Sequence, residues 1–147
     1  MTYETLSDAE ARDLRALAGI MIPASSAHGV PGADDALIYA DILNSLERDT
    51  VDAQIALRQL AELAGGPFAD LAPERRAEVA LRFKQDGGAP LFSLNRVVLL
   101  CYYRDDRVMR ALGQEPRSPF PQGHVVEQGD WSLLDPVKKR PPMWRRV

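Results

Sequence analysis

PLFSLNRVVLLCYYRDDRVMRALG, residues Pro90–Gly113, holds the densest apolar run of the chain. Between Leu91 and Tyr103 only Ser93, Asn95 and Arg96 are polar. Placed on a 3.6-residue wheel, the apolar side chains fall on every side, the pattern of a helix buried around most of its circumference. Pro90 suits a first helical turn and Gly113 the position just past a last one. The longest uninterrupted apolar stretch is Val97–Tyr103, far short of the ~20 residues that a bilayer span needs. The spacing therefore predicts a central core helix, not a membrane segment. Beyond it Arg104, Asp105, Asp106 and Arg107 are charged, and Val108, Met109 and Leu112 resume at helical spacing. Two helices, or one kinked helix, are expected, with a restart capped by Asp105 or Asp106.

Upstream the helical signals continue. Ser7 and Glu10 have capping-box spacing ahead of an apolar face of Leu14, Leu17, Ala18 and Met21, and Pro23 ends that helix. A loop of small residues around His28 follows. Asp34 or Asp35 is expected to cap a second helix running to about Arg48, with Leu37, Ile38, Ile42, Leu43 and Leu46 inward. Thr50 is expected to cap a third, Val51–Ala64, with Val51, Ile55, Leu60 and Leu63 in the core and Gly65–Gly66 ending it. Residues 67–71 read as a short connector. Pro73 opens a fourth helix to Lys84, whose inner face is Val79, Ala80 and Phe83. No segment alternates with period two, so the predicted fold is all-α: five to six helices around the central apolar one, spanning 1–113.

Residues 114–147 differ in kind. They carry six prolines and no sustained helical pattern, a length at which a structureless segment signals function or disorder. Yet Phe120, Val125, Val126, Trp131, Leu133, Leu134, Val137, Met143 and Trp144 are spread through them, including both tryptophans of the protein. Ordering such a backbone costs about 1–2 kcal/mol per residue, which only burial of those groups can offset. A long irregular arm that docks on a partner is the expectation, with Phe120, Trp131, Leu134, Met143, Trp144 and Arg145 at the interface.

Charge and cysteine content narrow the function further. The net charge of −3 gives no basic face for nucleic acid. Nine Lys/Arg stand against fifteen Asp/Glu in residues 1–103, and nine against six from Arg104 onward. One cysteine, Cys101, permits neither an intrachain disulfide nor a multi-thiolate metal site. The opening MTYETLSDAEAR lacks the regions of a secretory signal, so a cytoplasmic chain is expected, or a periplasmic one if the start is processed. There is no phosphate loop, nucleophile elbow or His-Glu-x-x-His, and His28 and His124 are isolated. Cys101, Tyr102 and Tyr103 are consecutive, pointing about 100° apart on a helix, and do not act together there. Neither a catalytic residue nor a cofactor or metal site is expected in this chain. The alternative is a stand-alone helical enzyme or small-molecule binder with a pocket near Tyr102, Tyr103 and His28. A third possibility is a homo-oligomer that exchanges tails.

Three stretches together resemble one family, the gluconate 2-dehydrogenase subunit 3 family. They are LSDAEARDLRALAGIMIPAS, HGVPGADDALIYADIL and LLCYYRDDRVMRALG, within residues 6–113. The tail PFPQGHVVEQGDWSLLDPVKKRP is similar to the ending of small subunits paired with glucose-methanol-choline type flavoproteins. The resemblance implies a non-catalytic small (gamma) subunit of a hetero-oligomer. Its partner would be a large FAD-dependent dehydrogenase subunit that oxidises an alcohol or sugar, with the FAD in that partner. Many relatives begin with a twin-arginine export signal, which Met1–Leu6 does not contain, and no haem-attachment motif is present.

Overall fold

Ser7 opens the first helix, α1 (Asp8–Met21), through a complete capping box. Its Oγ accepts from the Glu10 amide (3.3 Å), and the Glu10 carboxylate accepts from the Ser7 amide (2.9 Å). The computed structural model describes residues 5–141 and Trp144. Among these, α2 (Ala36–Ser45), α3 (Thr50–Ala64), α4 (Pro73–Asp86), α5 (Gly88–Tyr103) and α6 (Asp106–Ala111) complete a six-helix body. One compact unit ends at Pro116 and a second begins at Arg117. The described residues form no strand, only an isolated bridge between Ser25 and Val30, so the fold is all-α.

The middle of the body is a pair of helices, not one. The helix α3 packs against α1, α4 and α5, while α5 packs against α2 and α3. Ala53 and Ala56 of α3 are fully buried, and their small side chains let the neighbouring backbones approach. The α5 residues Leu91, Leu94, Val97, Val98, Cys101 and Tyr102 are buried. The other side of α5 is open, contrary to the expectation of burial around most of its circumference: Phe92 is 72% exposed, and Leu99, Leu100 and Tyr103 are also exposed. A helix that meets its neighbours along one stripe covers only the positions 3–4 residues apart on that stripe.

The same periodicity corrects two inward assignments. Leu37 and Val51 are exposed. Each sits in the first turn of its helix, off the stripe formed by Ile38 and Ile42 in α2 and by Ala53, Leu57 and Leu60 in α3. The second helix also stops earlier than Arg48. It closes at Ser45, and a 3₁₀ turn, Glu47–Asp49, leads into α3 with Glu47 at φ +34°. Thr50 is the first residue of α3 and not its cap; its Oγ donates to the Glu47 carbonyl (2.7 Å) and steadies that turn. Gly65, at φ +74°, ends α3 in the left-handed conformation that glycine adopts without a Cβ clash. Residues 67–71 do more than connect. They form a 3₁₀ turn, Phe68–Asp70, that inserts Phe68 fully into the core, and the buried Asp13 carboxylate of α1 accepts from the Ala69 amide (2.8 Å).

Arginine–aspartate clamps lock the helix ends. Arg104, just past α5, grips Asp41 of α2 through two bonds (2.7 and 2.6 Å) and donates to the Ser45 hydroxyl (2.6 Å). Asp105 caps α6, accepting from the Arg107 amide (2.9 Å). The Arg107 guanidinium in turn reaches Asp105 (3.0 Å) and Asp35, the cap of α2 (2.7 Å). Arg96 pairs with Asp49 (2.5 Å), and Ser93 donates to Asp52 (2.7 Å), joining α5 to the start of α3. The Tyr39 hydroxyl donates to the Ala11 carbonyl, and burial pushes the phenol up to about 12.

These clamps set a pH dependence. Arg107 holds the Asp35 and Asp105 carboxyls below their ordinary value, and Arg104 does the same for Asp41. Because the folded values are depressed, their stabilisation is complete above the unfolded value of ~3.9 and is lost as pH falls through the folded values. Each pair is partly exposed and contributes no more than about 1 kcal/mol. Chemical denaturation is therefore expected to give constant stability from neutral pH down to about 5 and a decline below about 4. The decline should be shallower in Arg107→Met, and an identical slope in that variant would remove these clamps as its cause.

Candidate functional site

The second unit, from Arg117 onward, presents apolar side chains on a mostly irregular backbone. Its helical segment begins at Asp130, whose carboxylate accepts from the Ser132 amide (3.0 Å) and hydroxyl (2.6 Å). Those bonds hold the carboxyl below its ordinary value. A 3₁₀ turn, Trp131–Leu134, follows and passes directly into the single helical turn α7 (Asp135–Lys138), with Pro136 inside its first turn. The Trp131 indole N–H donates to Gln128 Oε1 (2.9 Å), and Lys138 pairs with Asp135 (3.1 Å). Thus the arm, expected to lack regular structure, contains a short helical element. The signal was present as Asp130 at a cap position and Pro136 at a first turn, but four-residue elements lie below the reach of periodicity.

Four of the six expected interface residues lie on described backbone, and all four are exposed: Phe120 (87%), Trp131 (66%), Trp144 (73%) and Leu134. Met143 and Arg145 lie outside the described residues. Val125, Val126, Leu133 and Val137 are exposed with them. Trp131, Leu134 and Val137 recur every third residue through the ordered turns, next to the cations Lys138, Lys139 and Arg140. The described part of this unit thus leaves apolar groups in water beside a run of cations, Lys138, Lys139 and Arg140. No group of His, Cys, Asp and Glu among the described residues is arranged to hold a metal ion.

The residues of the alternative pocket are placed differently from one another. Tyr102 is buried and its hydroxyl donates to the Pro31 carbonyl (3.2 Å), anchoring the loop between α1 and α2. Burial pushes its phenol above the ordinary value. Tyr103 meets it edge to face at 5.2 Å and is half exposed. His28 is exposed in the same loop, between the paired backbones of Ser25 and Val30. Cys101 is 1% exposed, and burial raises its thiol, which disfavours the reactive thiolate. No protein-family model, curated protein or solved structure matches this chain.

One feature of the body escaped sequence reasoning. A groove of about 430 Å³ opens between the end of α1, α4 and α5. It includes Ile20, Leu81 and Leu99, which belong to three different helices and are each exposed. No single-helix pattern reveals a groove that three helices make together.

Proposed function

We propose that this chain is a non-catalytic small subunit that stabilises a large FAD-dependent alcohol or sugar dehydrogenase by laying its C-terminal arm over it. The observation that carries this is the arm itself, with Phe120, Trp131, Leu134 and Trp144 exposed on a backbone of few regular turns. Large aromatic side chains are the usual anchors of interfaces, and their burial on a partner offsets the ordering cost of the segment. The FAD, the substrate pocket and the chemistry belong to the partner. The likeness of residues 6–113 to the gluconate 2-dehydrogenase subunit 3 family supplies the partner class.

The mechanism is thermodynamic. A subunit that binds only the folded partner stabilises it by mass action, by ~2.7 kcal/mol when the free subunit is at 100 times its Kd. The test is coexpression with a flavoprotein of this class encoded beside it. A copurifying complex with flavin absorbance, in which the flavoprotein melts later than it does alone, is the expected result. Failure of the two chains to associate, with the flavoprotein equally stable and active without this one, would discard the proposal.

A further inference from the structure

The groove between α1, α4 and α5 has the chemistry of a small amphiphile site. Apolar residues line it, among them Ile20, Met21, Leu81 and Leu99, and among the described residues its polar lining side chains are Lys84 and Asn95. Its size, about 430 Å³, falls within the ~300–1,000 Å³ typical of small-molecule pockets. Such sites combine an apolar wall with a few polar groups that fix orientation. The charges on α4 single out one of them. Arg75 pairs with Glu78 and Arg82 with Asp86 along the helix, whereas Arg76 and Lys84 make no ion pair with any described residue, and of these two it is Lys84 that lines the groove. A flexible ammonium beside an apolar trough complements a ligand with one anionic end and a hydrocarbon tail. An electroneutral apolar ligand gains nothing from that charge, and a polyanion leaves the apolar wall wet.

We infer that this groove binds a medium-chain alkyl carboxylate, with the carboxylate on Lys84 and Asn95 and the chain along Ile20, Leu81 and Leu99. The residues of the site belong to the helical body, and the inference does not rest on the function proposed above.

The test is calorimetric titration of the full chain with octanoate, decanoate, dodecanoate and the uncharged 1-decanol. One carboxylate is expected to bind per chain, and each added methylene to tighten binding about twofold to fourfold, the lower figure reflecting a half-open groove. Lys84→Met is expected to weaken decanoate by about fivefold or more and to leave 1-decanol within about twofold, as loss of a charge partner predicts. Leu81→Asp, at an exposed position, is expected to weaken both by at least about tenfold through a charge placed on the apolar wall. Both variants replace exposed side chains, and an unchanged thermal transition would confirm that they fold. The inference is overturned if no saturable binding is found up to about 1 mM. Affinity independent of chain length overturns it too, as does a Lys84→Met variant that affects decanoate and 1-decanol alike.

Discussion

Phe68→Ala is expected to destabilise the protein by about 3–5 kcal/mol, whereas Phe92→Ser changes stability by less than about 0.5 kcal/mol. The two phenylalanines invert what their neighbourhoods suggest. Phe92 sits in the most apolar stretch of the chain, yet is 72% exposed. Phe68 sits in the eight-residue link, 65–72, between α3 and α4, yet is fully buried. Truncating Phe68 leaves a cavity that the surrounding helices α1 and α3 fill only in part, so the cost is the lost transfer energy plus the cavity. It also loosens the turn whose Ala69 amide satisfies the buried Asp13 carboxylate. For a domain of this size, thermal melting should show a midpoint lower by roughly 10–20 °C for Phe68→Ala. A small shift for Phe68→Ala, or a large one for Phe92→Ser, would mean that the packing of α5 and of this turn is not as described.

Trp131→Ala is expected to weaken the proposed complex with a flavoprotein by about 30-fold or more, the effect of losing an anchor residue worth at least ~2 kcal/mol. Phe120→Ala is expected to act in the same direction. Leu37→Ala, which removes an exposed leucine from the body, serves as the comparison and leaves affinity within about twofold. The melting temperature of the isolated chain should change little in Trp131→Ala, because the ring is already two-thirds exposed there. Loss of affinity without loss of stability separates an interface role from a structural one. Equal affinities for all three variants would take the arm out of the interface.

Much of the fold was legible because helix boundaries are written locally. Ser7 with Glu10, Asp35, Asp105, Pro73 and Gly65 all act within one turn of chain, and each marks a boundary that the structure contains. The errors of burial share one cause. Leu37, Val51 and Phe92 are apolar and helical, and whether such a side chain is covered depends on which helix lies alongside. Phe68 was missed for the converse reason, since a turn of three residues has no period to read. The arm divides the same way. Its apolar content and prolines stand in the sequence, but the turn at Trp131–Lys138 needed the Asp130 cap to be seen bonding to Ser132.

The sequence by itself determined the helical class, most of the places where helices start and stop, and the contrast between a helical body and an apolar, proline-rich end. Tertiary structure alone decided which faces meet: that α3 and α5 together form the centre, that one side of α5 stays open, that Arg104 and Arg107 clamp Asp41 and Asp35, and that three helices enclose a groove with Lys84 on its wall. The physical reason is range. Caps and periodicity act over about four residues, whereas burial, ion pairing and cavities are set by residues tens of positions apart whose meeting the whole packing arrangement selects.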